Sequence, residues 1–314
     1  MFASNVYKER REALRHQIGG GLILLLGNGE ASSNYPDNTY HFRQDSSFLY
    51  FFGINHPGFA GVIDVESGED TLFGNDFTMD DIIWMGPQPS VASQAIEVGV
   101  EKSAPLAQLK QVVENAQRQG RKVHFLPPYR YANKLWLEEL TGIRVAQLAT
   151  QVSVELIKAV VALRSVKSAL EIAEIERACD IGYEMHTTAM RMCKPGVKEQ
   201  LIAGTIEGIA LAHGAGVSFP TILSMNGETL HNHYHGNFLQ EGRLMLTDAG
   251  AERISNYCSD HTRTVPVGGK FEGRQKDIYN IVLACHGKAL EITRPGITYK
   301  HVHLEVCKVL AQGL

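Results

Sequence analysis

"LMLTDAGAERISNYCSDHTRTVPVGG", Leu244–Gly269, is the stretch on which the fold turns. Two runs of strand-forming residues flank a polar segment, the pattern of a β-hairpin. Asp248 and Asp260 sit in or beside those runs. A carboxylate there is costly to bury unless it is paired or holds a cation. Antiparallel strands can set two carboxylates side by side, and a pair of divalent cations relieves the repulsion between them. Their separation of twelve residues is even, but a turn intervenes, so parity decides nothing. The alternative is structural: one carboxylate caps the turn and the other pairs with Arg263. Spacing alone leaves both readings open.

Upstream, "HNHYH" alternates His231, His233 and His235. On a strand all three would share a face, and a His-x-His pair on a strand can bind zinc. A wet, histidine-rich loop is the other reading. Ser168-Ala169-Leu170-Glu171 has the form of a capping box and opens a helix that runs to about Met192. Its apolar face is Ile175, Ala178, Ile181, Met185, Ala189 and Met192. Lys194-Pro195-Gly196 stops it, and a second helix spans about Lys198–His213. "FPTILS", "TLHNHYH", "RLMLTDAG" and "HTRTVPV" then read as strands.

The pattern recurs one hundred residues on: helix Gln275–Thr293, the stop Arg294-Pro295-Gly296, and a helix from about Thr298. The first copy is followed by strands and the second by the last residue, Leu314. A duplicated unit should bury a sheet in both halves. The sequence therefore reads as cut off before a second sheet. A half-built sheet exposes an apolar face and unpaired edges, which predicts a homodimer or larger homo-oligomer.

The first half alternates helix and strand. Lys8–Ile18 and Pro105–Gln119 read as helices; Gly21–Leu26, Ser46–Ile54, Gly58–Val65 and "KVHFLP" read as strands. That is an α/β domain over residues 1–160, joined by a linker near "VALRSVKS" to a second domain over 161–314. Gly27-Asn28-Gly29 is not a dinucleotide loop, because Ser32 stands where the third glycine belongs.

Composition removes other classes. The net charge of −4 argues against a nucleic-acid partner. The longest apolar run, Leu22–Leu26, fits a buried strand and falls far short of a membrane span. The charged N-terminus is not a signal peptide. Five scattered cysteines without a CxxC pair read as reduced thiols of a cytoplasmic protein.

The stretch from "TLHNHYH" through "DAG", "SDHTRT", "GGKF" and "DIY" resembles the metal-binding half of the aminopeptidase P and prolidase group, the pita-bread metallopeptidases. "YHFRQDSSFLYFFGINHPGFAGVID" and "IIWMGPQPS" resemble the N-terminal domain of aminopeptidase P. The resemblance spans nearly the whole chain. It implies a creatinase/prolidase-type α/β domain followed by the first part of an α+β pita-bread catalytic domain. The implied activity is hydrolysis of the N-terminal Xaa–Pro bond of proline-containing peptides. Prolidase activity on Xaa–Pro dipeptides, a non-catalytic peptide- or protein-binding module and a metal-free creatinase-like hydrolase are the alternatives.

The resemblance further implies two divalent metal ions, manganese first, with cobalt or zinc as substitutes. Asp248 would bind one metal and Asp260 would bridge both. His231, seventeen residues before Asp248, would help bind the substrate and stabilise the reacting centre. Thr262 and Arg263 would hold the second carboxylate. Trp84 matches a tryptophan that can line a neighbouring subunit's site; a partly buried core aromatic is the other reading. Phe219 stands where the family often has tyrosine, so a substrate-side hydroxyl is missing. The hairpin is one residue longer than usual, which puts the turn at Arg253–Asn256 in doubt, and His261 replaces an apolar residue. The family's other ligands, one histidine and two glutamates, lie on the second sheet, and His301 and His303 fall too early to supply them. The expectation is therefore an inactive chain with a partial metal site.

Overall fold

The computed structural model describes residues 2–314, and the chain forms two compact units, Met1–Ser168 and Ala169–Leu314. The first contains α1 (Ser4–Arg15), β1 (Leu22–Leu26), β2 (Ser32–Tyr35), β3 (Asn38–Thr39), α2 (Ser46–Phe52), β4 (Ala60–Asp64), β5 (Asp70–Phe73) and α3 (Met79–Met85). It continues with α4 (Val91–Glu97), β6 (Lys102–Ala104), α5 (Leu109–Arg118), β7 (Val123–His124), α6 (Tyr131–Thr141), α7 (Val145–Gln151) and α8 (Val154–Ser165). Five strands make one mixed sheet in the order β6-β5-β4-β1-β7. β1 runs antiparallel to β4 and parallel to β7. Its unbroken apolar run has a plain cause: the sheet is covered on both faces. Ile23 and Leu25 join a core with Phe48, Phe51, Phe52 and Leu156. Leu22 and Leu24 join another with Val113, Phe125 and Leu137.

Two expectations fail in this unit. Ser46–Ile54 is not a strand but the helix α2. Asp45 caps it by accepting from the Ser47 and Phe48 amides at 2.9 and 2.8 Å. Phe48, Phe51 and Phe52 then fall on one helical face, all fully buried; each contributes roughly 1.5–3 kcal/mol by leaving water. Gly53 ends the helix at φ 68°, where an added Cβ would lie 2.4 Å from the Tyr7 ring. The segment expected as a linker is also helical, since α8 runs on to Ser165.

The second unit contains α9 (Ala169–Met192), α10 (Glu199–His213), β8 (Gly216–Val217), β9 (Ile222–Ser224), β10 (Leu244–Ala249), β11 (Ala251–Glu252), β12 (His261–Pro266), α11 (Arg274–Ile292) and α12 (Tyr299–Gly313). An antiparallel sheet has the order β12-β10-β9, and β11 pairs with β8 beside it. β10 alternates: Met245, Thr247 and Ala249 are buried, while Leu244, Leu246 and Asp248 are half-buried. The buried face packs against α9 and α10 through Ile181, Met185, Ala189, Ile202 and Ile206. The duplicated motif is present. Gly196 and Gly296 turn the two helix pairs at φ 79° and 87°, the left-handed conformation that glycine adopts without cost. α11 and α12 pack on each other, with Cys285 buried and its thiol on the Val306 carbonyl.

Candidate metal centre

Asp248 stands opposite Thr262 in the β10–β12 ladder, and Asp260 lies two residues before Thr262. The period of two places all three side chains on the face of the sheet turned away from α9 and α10. Asp248 Oδ1 is enclosed and has no hydrogen-bond partner. Burial holds its carboxyl above the usual carboxylate range, and the Asp260 charge pushes the same way; the Thr262 hydroxyl, His186 and His231 oppose them. The reading of one aspartate as a turn cap and the other as a partner of Arg263 is not what forms. Arg263 lies opposite Thr247, on the other face of β12, exposed, and its Nη1 donates to the Thr262 carbonyl at 2.8 Å. For the same reason Arg263 does not hold Asp260.

The segment between the aspartates is seated along one stripe of α9. The turn at Arg253–Asn256 that the longer hairpin put in doubt does form: the Asn256 amide donates to the Arg253 carbonyl at 2.8 Å. Asn256 has φ 62°, a conformation asparagine tolerates better than most residues. At the tip, the Tyr257 hydroxyl donates to Glu171 at 2.9 Å and the Ser255 hydroxyl to Glu174 at 2.6 Å. The Ser255 bond, with a second from Arg177 at 2.6 Å, holds the Glu174 carboxyl below its ordinary range. At the root, a Cβ on Gly182 would meet His261 Nδ1 at 2.8 Å and Ser259 Oγ at 2.9 Å. One turn further, His186 Nε2 meets the Ala249 carbonyl at 3.1 Å. Its ring stands edge-on to His261 with centroids 6.0 Å apart, and Nδ1 of each ring is buried without a partner. Burial pushes the His186 pKa down. Gly182 and His186 were hidden in the sequence inside an apolar stripe. A glycine at mid-helix, beside a histidine on the buried face, was the available signal.

"TLHNHYH" is not a strand, so its histidines do not share a face. Backbone groups that a ladder would need go elsewhere, as when the His235 carbonyl accepts from the Gln200 amide at 3.0 Å. His235 is half-buried and its Nδ1 meets the Leu223 carbonyl at 3.0 Å. His231 and His233 are exposed. His231 lies near enough to Asp248 for its charge to act on that carboxyl. Phe219 is half-buried between β8 and β9. Trp84 belongs to the first unit, on α3, and is 86% exposed, so it is no core aromatic. His301 and His303 lie on α12, as expected.

Comparison with known proteins gives the lineage. The model for the aminopeptidase P N-terminal domain matches residues 7–152, and that for metallopeptidase family M24 matches residues 173–314. The Xaa-Pro aminopeptidase of Escherichia coli is 32% identical over 98% of this chain and 72% of its own length. The chain belongs to the aminopeptidase P family. A probable Xaa-Pro aminopeptidase of Chaetomium globosum is 28% identical over 98% of this chain, which spans about half, 51%, of that relative. The solved structure of E. coli aminopeptidase P with the inhibitor Pro-Leu superposes with a TM-score of 0.87 at 29% identity, covering 100% of this chain and 73% of that one. Proline aminopeptidase P II of Yersinia pestis gives 0.86 at 28% identity, covering 100% and 74%. An aminopeptidase P N-terminal domain is thus followed by a pita-bread unit.

The aminopeptidase P family is one of metallopeptidases, so a divalent metal centre is implied. The fit of this chain to such a centre is partial. A buried, unpartnered carboxylate oxygen beside a second carboxylate suits a cation. Yet among the described residues no group of three or more His, Cys, Asp and Glu side chains converges to hold one. Two carboxylates anchor a metal; they do not complete a dinuclear centre, whose ions each need several more ligands.

Proposed function

We propose that this chain carries the aspartate half of the centre of an Xaa-Pro aminopeptidase, whose activity is metal-dependent hydrolysis of the N-terminal Xaa–Pro bond of proline-containing peptides. Asp248 and Asp260 are the metal ligands in this reading, and His231 is a substrate-side residue. The observation that carries it is the like-charged pair on one open sheet face, one oxygen of which is buried with nothing to bond. Manganese is the first choice of metal. The relative described as zinc-substituted E. coli aminopeptidase P, in complex with product, shows that enzyme holding another divalent ion. Phe219 is proposed to contact substrate, and Trp84 to line the site of a neighbouring subunit. Free thiols at Cys179, Cys193, Cys258, Cys285 and Cys307 agree with a cytoplasmic protein, and among the described residues no single helix is long and apolar enough to cross a membrane.

The 314-residue chain by itself is proposed to be inactive and to bind metal weakly, because its donor set stops at two carboxylates. Apolar side chains exposed on α11 and α12, such as Leu290 and Leu304, favour a homo-oligomer, which light scattering tests. Incubation of the purified chain with an Xaa–Pro dipeptide and a longer Xaa–Pro peptide, in the presence of manganese, is expected to release no product. Titration with manganese should show weak binding that Asp248→Asn removes. Cleavage of either peptide, or tight binding of two ions, overturns the inactivity; manganese binding unaffected by Asp248→Asn overturns the ligand assignment.

A further inference from the structure

We propose that Glu199 is a positioning residue: it closes the base of the loop that carries His231 and so determines where that histidine stands. The inference rests on the substrate-side reading of His231. Glu199 is the first residue of α10 and is fully buried. Its Oε1 accepts from the Met225 amide at 2.8 Å, just where the chain leaves β9. Its Oε2 accepts from Asn237 Nδ2 at 2.9 Å, where the chain returns. The Glu199 amide donates in turn to the Asn237 carbonyl at 2.9 Å, and the Gln200 amide to the His235 carbonyl at 3.0 Å. Residues 226–236 therefore leave and re-enter the fold at one side chain, with His231 midway between the two ends.

The chemistry of this carboxylate is unusual for a buried acid. Its hydrogen-bond donors are one peptide amide and one side-chain amide, neither of them cationic. Buried acids are ordinarily held by a cation. An acid in the first turn of a helix has a simpler use, favouring the positive end of the helix dipole. Here, however, both oxygens are taken by atoms of the loop, one at each end. The residue is used on the loop rather than on its own helix. A carboxylate suits the task because it accepts at both oxygens, whereas a hydroxyl or an aliphatic side chain would leave the Met225 amide or the Asn237 amide unmet.

Amide hydrogen exchange of the full 314-residue chain, read by mass spectrometry, tests the clasp. Glu199→Ala should speed exchange across residues 226–236 by about tenfold, with β10 and the body of α10 little changed. Asn237→Asp sets two carboxylates face to face and should do the same. The double variant Glu199→Gln with Asn237→Asp restores one donor and one acceptor with their roles exchanged. The new amide at position 199 still offers an oxygen to the Met225 amide, so loop exchange should return close to the original rate. Loop exchange unchanged by Glu199→Ala and by Asn237→Asp overturns the proposal. So does a double variant that fails to recover, or acceleration spread evenly over α10. If Glu199→Ala does not fold, the other two variants decide. Exchange reads the clasp alone; His231→Ala leaves the clasp intact and tests the substrate role of that histidine separately, through binding of an Xaa–Pro peptide.

Discussion

Asn28 in the first unit and Asp248 in the second both follow a run of leucine-rich strand, and the fold treats them in opposite ways. Asn28 is fully buried and saturated. Its amide donates to Gln44 Oε1 at 2.6 Å, its Nδ2 to the Arg43 carbonyl and the Tyr129 hydroxyl, and its Oδ1 accepts from Asn133. Asp248 is enclosed on one side, repelled by Asp260, and left with an oxygen that bonds nothing. The sheet under Asn28 is covered on both faces; the sheet under Asp248 has a helix-covered face and an open one. A buried polar atom without a partner calls for an explanation, and beside a second carboxylate a cation supplies one. The two aspartates fall in the unit that the metallopeptidase family model matches.

The largest expected effect comes from breaking saturation in the first unit. Arg11 is fully buried and donates to Asp70, to the Phe51 carbonyl and to the Val98 and Gly99 carbonyls. Arg11→Met strands the three carbonyls and leaves Asp70 to Arg15 alone, and should cost about 3–5 kcal/mol in urea unfolding of that unit. A loss under about 1 kcal/mol would mean that saturation is not what holds the unit together. In the second unit, Gly182→Ala should reverse the usual helix rule. Alanine normally gains about 1 kcal/mol over glycine at mid-helix. Here the added methyl meets His261 and Ser259, so a net loss of about 1–3 kcal/mol is expected. A stabilised variant would show that α9 does not seat the hairpin.

Asp248→Asn comes next and should stabilise the metal-free chain, raising the melting temperature of the second unit by about 2–4 °C at low salt. The sign follows from the raised carboxyl: its folded form favours the proton, so a permanently neutral side chain relieves strain at neutral pH. A destabilised variant would break the contrast with Asn28. The smallest effect is a pH response common to both units. Burial lowers the pKa of His124, which lies between Ser153 and the Gly20 carbonyl, and of His186. A lowered folded pKa gives stability that is present above the ordinary histidine value and lost as pH falls through the folded one. Mild acidification from neutral pH should therefore weaken both units. His124→Asn and His186→Asn should each flatten that slope in the unit that carries them, as followed by denaturant midpoints over the pH series. Slopes unchanged in both variants would assign the response to other groups.

What could be read in the sequence was whatever has a period. The leucines of β1, the alternation of β10 and the three-and-four spacing of α9 follow from burial of one or two faces, and so does the doubled helix-turn-helix. "SSFLYFF" misleads because its aromatics favour a strand by propensity, while two short-range features, the Asp45 cap and Gly53, decide for a helix. "HNHYH" alternates as a strand would, but its His235 carbonyl accepts from the Gln200 amide at the start of α10, a partner that no local pattern reveals. The two aspartates stood out because charge among apolar residues is conspicuous. Gly182, His186 and Glu199 did not: a glycine, a histidine and a first-turn glutamate on helices have ordinary explanations until the hairpin and loop they hold are seen. Arg263 shows the converse, since nearness to Asp260 in sequence put it on the wrong face of the strand.

The placement of the aromatic rings has a practical consequence. The chain has two tryptophans. Trp84 is almost fully exposed, and Trp136, on α6, packs against the core of the first unit. The second unit has none. Indole fluorescence is therefore a private signal of the first unit: on unfolding, the Trp136 emission should shift to the red while that of Trp84, already in water, barely moves. Circular dichroism records the helices of both units. The difference between the two signals gives the unfolding of the aspartate-bearing unit without a label or a mutation.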